Sequence, residues 1–207
     1  EEILARPIAN DRVYGPEEIW DNFAYFLERL IPVCETARVR MALHPNDPPL
    51  PSLGGAASLI YTADDYRRAL ALAGGSQALA VKLCVGCVLE NPQFGDLMAC
   101  VREFCGKGQL AEVHLRNVSG PLPYFEETLW EDGYGDLYGV LKQLIVCGFQ
   151  GYLSIDHAFQ GYASKGDAFA DKALSEPRCP ICGGPLGFTK WVNQGGHRYM
   201  NLAECPD

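Results

Sequence analysis

Residues 41–55 read MALHPNDPPLPSLGG, and the fold turns on why this stretch changes character at its fourth residue. Met41, Ala42 and Leu43 are apolar and suit a buried strand. His44 ends the run. The next seven positions, 45–51, hold four prolines, with Asn46 and Asp47 among them. Proline fixes φ and removes a backbone donor, so no strand continues through such a segment. The stretch reads as a strand that stops on a histidine and enters a stiff rim loop, with Asn46 and Asp47 held beside the strand end.

The same ending recurs three times. "VKLC" closes an apolar run on Cys84, "EVHLRN" carries His114, and "LSIDH" ends on Asp156 and His157. Between these runs lie helical patterns. Residues 16–37 open with Gly15-Pro16-Glu17-Glu18, a proline and acids in a first turn. Ile19, Phe23, Phe26, Leu27, Leu30 and Ile31 share one face of that helix. Further helices are expected over 64–73 (Tyr66, Leu70 and Ala73 inward), 94–105 and 136–147, each stopped by glycine. Strands are expected over 39–43, 78–85, 110–115 and 151–155. Helix and strand alternating four times is the α/β pattern with parallel strands. The runs are nearly continuous in apolar residues, as in strands covered on both faces. Residues 175–207 lack the pattern and are rich in Gly, Pro and Cys. The expected division is a metal-binding α/β domain over 1–174 and a short tail over 175–207.

Composition excludes several classes. Net charge is −9 over 207 residues, which leaves no basic field for a nucleic-acid backbone. No apolar run approaches the roughly 18–20 residues of a membrane span, and the opening "EEILARPIAN" has no signal-peptide pattern. Nine cysteines spread over helices and strands suit a reducing cytoplasm, with thiols buried or available to metal. The chain opens on Glu rather than Met, so it is expected to be processed or a piece of something longer.

Parallel strands present their C-terminal ends on one rim, where α/β folds build sites. His44, Cys84, His114 and Asp156 are therefore expected to converge there. Three of the chain's four histidines lie at consecutive strand ends. Taken singly, a strand-end histidine is usually a structural residue and a cysteine usually core; the coincidence of the set argues for a metal. Imidazole with thiolate favours Mn, Fe, Co or Zn over Mg or Ca. Arg116 shares the side of His114, and with Asn117 it is a candidate for a substrate carboxylate, which a guanidinium grips with two parallel bonds. A plain ion pair is the competing reading of Arg116.

With these motifs in the order His44, Cys84, His114 and Asp156, at gaps of 40, 30 and 42 residues, the chain resembles the mannonate dehydratase family from about residue 16 to 157. The resemblance implies a (β/α)8 barrel, of which four strands supply about half. It implies Mn²⁺ or Fe²⁺ on His44, Cys84, His114 and Asp156, and a small sugar acid, D-mannonate, losing water to give 2-dehydro-3-deoxy-D-gluconate. His157 matches the family's acid–base histidine, and Tyr162 is the nearest candidate for its tyrosine. Asn46 stands where the family commonly has Asp. Cys87 follows Gly86 where a small polar residue is expected. With half a barrel, the expectation is weak turnover by the chain alone, and either homo-oligomerisation or a need for the missing half. The competing readings are a sugar isomerase or epimerase, against which Cys84 argues, and a non-catalytic remnant that binds a partner.

The tail carries "CPICGG" at 179–184, a C-x-x-C knuckle. Cys179 and Cys182, with Cys205, are candidate ligands for a Zn²⁺, and His197 is an alternative third. A closed zinc site needs four ligands, so the competing reading is a plain cysteine-bearing tail.

Overall fold

The computed structural model describes residues 12–156 and the backbone of 191–194 and 197–200. The elements are α1 (Pro16–Ala37), β1 (Met41–Leu43), β2 (Ser52–Leu53), β3 (Ala56–Ala57), α2 (Ala63–Leu72), β4 (Leu79–Cys84) and α3 (Val85–Glu90). They continue with α4 (Leu97–Gly106), β5 (Leu110–His114), β6 (Asn117–Val118), β7 (Glu127–Thr128), α5 (Leu137–Val146), β8 (Tyr152–Ser154), β9 (Trp191–Gln194) and β10 (His197–Met200). The four expected strands pair in the order β1-β4-β5-β8, all parallel. The register sets Cys84 opposite His114 and His114 opposite Ser154, so the strand ends are level. The α/β class with a parallel sheet is what the alternation of apolar runs implied.

Period two divides each strand between two faces. Val81 and Leu83 of β4, Val113 of β5 and Leu153 of β8 are buried and join one core with Tyr66 and Ala69 of α2, Val101 and Phe104 of α4, and Val140 and Leu144 of α5. Burying a side chain such as Phe104 stabilises by roughly 1.5–3 kcal/mol. The other face carries Lys82 and Cys84, Glu112 and His114. There the expectation of strands apolar on both sides fails: Lys82 Nζ pairs with Glu112 Oε1 at 3.2 Å. A cross-strand ion pair satisfies two charges that a sheet interior could not otherwise hold.

The helices begin where their caps dictate. Thr62 closes a capping box with Asp65, and Asp96 and Asp136 accept from Ala99 and Gly139. Tyr66 of α2 spends its hydroxyl on the Lys82 carbonyl at 2.8 Å, locking helix to strand. On α1 the buried residues are Trp20, Leu27 and Cys34, and Phe26, expected inward, is 49% exposed. The stripe recurs every seven residues and is narrower than the apolar pattern suggested.

Three features had no sequence signal strong enough to place them. One is α3, which continues directly from β4. Another is the pair of two-residue hairpins, β2–β3 and β6–β7. The third lies in the tail. β9 and β10 form an antiparallel hairpin, and Met200 pairs with Leu153, so the sheet extends past β8. The tail was expected to be separate; pairing covers an edge that would otherwise present open donors and acceptors. Among the described residues no helix is long and apolar enough to cross a membrane.

Candidate metal centre

β1 delivers His44 to the rim, and the proline loop that follows is tied down on two sides. Asn46 Oδ1 accepts from the amides of Leu59 and Ile60 at 3.0 Å each. Asn91 Nδ2 donates to the carbonyls of Pro49 at 3.2 Å and Tyr61 at 2.9 Å. The stiff rim loop expected from the prolines is thus also strapped by side chains, and Asn46 serves the strap. His44 Nδ1 lies 2.7 Å from the Pro45 carbonyl. That contact places the proton on Nδ1 and leaves Nε2 as a lone-pair donor.

One ligand atom each from His44, Cys84 and His114 lies within 4.8 Å of the others. The two imidazole rings are 5.1 Å apart, tilted by 55°. A hydrogen bond from Cys87 drives the Cys84 thiol well below its ordinary pKa. Burial opposes this, while His114, His44 and the Arg116 charge add to it. Cys87, as the donor, is pushed upward in turn. Two imidazoles and a thiolate-prone sulfur within this span suit a divalent transition metal, whose bonds to such donors are about 2.0–2.3 Å. The residues present fit such an ion.

Asp156 does not join the three. It sits at φ 71°, and its carboxylate reaches His114 Nδ1 at 3.0 Å and Arg116 Nε at 3.3 Å. In this arrangement it orients a ligand rather than supplying one. On the other side His114 Nε2 faces Glu112 Oε1 at 3.3 Å. Burial works against the imidazolium, but Asp156, Cys84 and Glu112 outweigh it and hold His114 up to about 10.

Arg116 is buried, and acids surround its whole guanidinium. Nη1 meets Glu127 at 2.6 Å, Nη2 meets Glu90 at 2.7 Å and Asp47 at 3.0 Å, and Nε meets Asp156. Nη2 also donates to Cys87 Sγ at 3.4 Å and Cys84 Sγ at 3.7 Å. The role expected for it, a two-pronged grip on a substrate carboxylate, is therefore filled by the chain's own acids here, because a buried cation must be paired where it sits. Gly86 makes room for this: a Cβ there would stand 2.5 Å from Arg116 Nε.

Asn117, the other expected substrate contact, is engaged within the fold. Its Nδ2 donates to the carbonyls of Trp130 at 2.7 Å and Gly135 at 3.0 Å, and its Oδ1 accepts from the amides of Val118 and Gly135 at 3.0 Å. It is fully buried and clamps the 130–135 loop, leaving it no polar capacity for a ligand. His157, Tyr162, Cys179, Cys182 and Cys205 lie outside the described residues.

Sequence reasoning missed Glu90, Glu112 and Lys82, and it marked Cys87 only as a departure from the family pattern. Glu90 is fully buried, and burial raises it to about 8 against the pull of Arg116. Its signal was one acid in the apolar "VGCVLEN". Glu112 and Lys82 each stand two residues before a candidate ligand, which puts them on the ligand face.

Comparison with known proteins meets this geometry. The D-mannonate dehydratase (UxuA) family model matches residues 7–172. The mannonate dehydratase of Thermotoga neapolitana is 33% identical over 164 residues, covering 76% of this chain and 45% of that protein. That of Lactococcus lactis subsp. cremoris is 33% identical over 142 residues, covering 66% of this chain and 39% of its own. The crystal structure of mannonate dehydratase from Streptococcus suis serotype 2 superposes with a TM-score of 0.64 at 31% identity, over 70% of this chain and 41% of that one. The chain thus spans less than half the length of these relatives. A parallel sheet whose ends gather His44, Cys84 and His114, and a family match across most of the residues, lead to one conclusion: the chain belongs to the D-mannonate dehydratase (UxuA) family.

Proposed function

We propose that this chain carries the metal-binding part of a hydro-lyase that removes water from D-mannonate, giving 2-dehydro-3-deoxy-D-gluconate. The observation that carries the reading is the convergence of His44, Cys84 and His114 within 4.8 Å. The family relation favours it over a sugar isomerase or epimerase. His44, Cys84 and His114 would hold Mn²⁺ or Fe²⁺, with Asp156 as a fourth donor if its carboxylate leaves His114. When bound, the ion supplies Lewis acidity beside the substrate carboxylate and C2 hydroxyl, lowering the cost of losing the C2 proton.

The chain's own residues do the rest. Asp156 and Glu112 flank the two ring nitrogens of His114, and the nitrogen that takes the ion would have to give up its proton and its carboxylate neighbour. Arg116, tied to Asp47, Glu90 and Glu127, anchors the rim loop over the strand ends. His157, next to Asp156, is the candidate to move the proton between C2 and the departing C3 hydroxyl, with Tyr162 as the weaker second. The cysteine usage supports a cytoplasmic setting. The part of the chain that matches covers less than half of each relative. A second copy, or a polypeptide supplying the rest of the barrel, is the proposed partner, and turnover by the 207 residues alone is proposed to be weak.

The test has two readouts on purified chain. Mn²⁺ titration should show one tight site that Cys84→Ala weakens by about 10–100-fold or more. D-mannonate turnover with Mn²⁺ should be slow and should fall further in His157→Ala. A chain that binds no Mn²⁺, or a Cys84→Ala variant that binds it unchanged, sinks the reading.

A further inference from the structure

We propose that Cys84 and Cys87 form a redox-active dithiol, which a small two-electron oxidant of the peroxide class closes into a disulfide. The consequence, loss of the sulfur from the His44–Cys84–His114 cluster, rests on the metal reading above. The dithiol itself does not.

The sequence is Cys84-Val85-Gly86-Cys87. Cys84 caps α3 in extended backbone (φ −87°, ψ 110°), and Cys87 is the third residue of that helix. Side chains at these two positions lie on the same side of the first turn; in a capping box each reaches the other's backbone. Here the two sulfurs share a neighbour. Both sulfurs contact Arg116 Nη2, at 3.7 and 3.4 Å, so one cation faces the pair. Solvent is one side chain away. Cys87 Sγ lies within 4.8 Å of an Asp47 oxygen, and the Asp47 side chain is 39% exposed.

The chemistry balances in two steps. Cys84 sulfur attacks one oxygen of hydrogen peroxide, the O–O bond breaks, and hydroxide leaves with the thiol proton as water. Cys87 sulfur then attacks the sulfur of the resulting sulfenic acid. The S–O bond breaks, and the second thiol proton leaves with that oxygen as a second water. Two thiols lose two electrons, and peroxide gains them.

A second adjacent pair supplies the rival outcome. Cys105 Sγ lies 3.6 Å from the Cys147 carbonyl, and both residues are half-buried. A disulfide there would join α4 to the end of α5 and leave the rim untouched.

The experiment treats the reduced, chelator-stripped 207-residue chain with equimolar hydrogen peroxide, blocks remaining thiols with N-ethylmaleimide, and maps tryptic peptides by mass. Residues 83–102 fall in one peptide holding Cys84, Cys87 and Cys100. That peptide should be two hydrogens lighter, blocked at Cys100 alone, and restored by dithiothreitol. Cys87→Ser should give no such loss. Mn²⁺ affinity of the oxidised wild type should fall about tenfold or more, and dithiothreitol should restore it. Full blocking of Cys84 and Cys87, a Cys105–Cys147 disulfide alone, or arrest of wild-type Cys84 at a sulfinic acid would overturn the proposal. Should the reduced chain bind no Mn²⁺, the metal reading fails, and the peptide masses still decide the dithiol.

Discussion

Two clusters of ionisable side chains sit side by side on the strand rim, and they solve burial differently. Around Arg116, the acids Asp47, Glu90, Glu127 and Asp156 are matched by a cation the chain itself supplies. Around His44, Cys84 and His114, three donors converge, and Arg116 touches only the edge, at Cys84. The first cluster has its counter-ion as folded; the second has the donor chemistry of an ion site. A guanidinium is planar and can satisfy several acids at once, so it suits a site meant to stay closed. Imidazole and thiolate, which lose protons to bind metal, suit a site meant to be filled.

The largest expected effect comes from emptying the first cluster. Arg116→Met removes the cation and leaves the acids Asp47, Glu90, Glu127 and Asp156 facing one another without it. Breaking a buried pair from one side costs about 3–5 kcal/mol. Urea unfolding should show the midpoint falling with its slope unchanged. A loss below about 1 kcal/mol would mean the acids are held by packing and not by the charge.

The next effect is the pH response of Glu90. Burial raises its carboxyl from 4.5 to about 8, with Arg116 pulling the other way. In this range the folded state binds more protons than the unfolded one. The contribution is therefore fully present below about pH 4.5 and is lost as pH rises through about 8. Metal-free wild type should lose on the order of a few kcal/mol at most across that window, and Glu90→Gln should be flatter. Equal slopes for the two proteins would show that Glu90 does not titrate there.

The contrast between the clusters also explains what could be read from the sequence. The convergence of His44, Cys84 and His114 was legible because each ends an apolar run and breaks its pattern, and the sheet places strand ends together. The Arg116 cluster was not. Its acids come from the rim loop, from α3, from β7 and from the end of β8, and none of these marks a partner in sequence. Asn117 shows the same limit. It follows Arg116 directly, so it looked like a site residue, yet it is buried on the loop that Gly133 and Gly135 allow to approach. A Cβ on Gly133 would stand 2.2 Å from its side chain. The helices were legible to within a few residues because caps and glycines mark them. The continuation of β4 into α3 was hidden because "VGCVLE" is apolar throughout and has no period of its own.

A smaller effect follows from the room that Gly86 gives Arg116. In Gly86→Ala the new Cβ would stand 2.5 Å from Nε and 2.8 Å from the guanidinium carbon, so the guanidinium must move. Overpacking of this kind costs about 1–3 kcal/mol. The shift should also loosen the contacts to both sulfurs. Thermal melts should show the loss in wild type and almost none in an Arg116→Met background, since the clash has then gone. Equal losses in the two backgrounds would assign the cost to the α3 backbone instead.

The smallest effect places the same substitution where water can help. Arg67 on α2 pairs with Glu103 of α4 at 2.6 Å, and its side chain is 46% exposed. Arg67→Met removes as many charges as Arg116→Met and breaks contacts of similar length. Yet it should cost only about 0.2–1 kcal/mol, because solvent takes up the freed carboxylate. Its pH dependence should also have the opposite sign to that of Glu90. Hydrogen bonds from Arg67, then Lys107, hold Glu103 down to about 2, against slight burial. That stabilisation is present above the unfolded value of 4.5 and is lost as pH falls toward 2, where Glu103 protonates even in the fold. Wild type and Arg67→Met should therefore differ at pH 7 and converge near pH 2–3. A loss at Arg67 as large as that at Arg116 would show that burial is not what separates the two arginines.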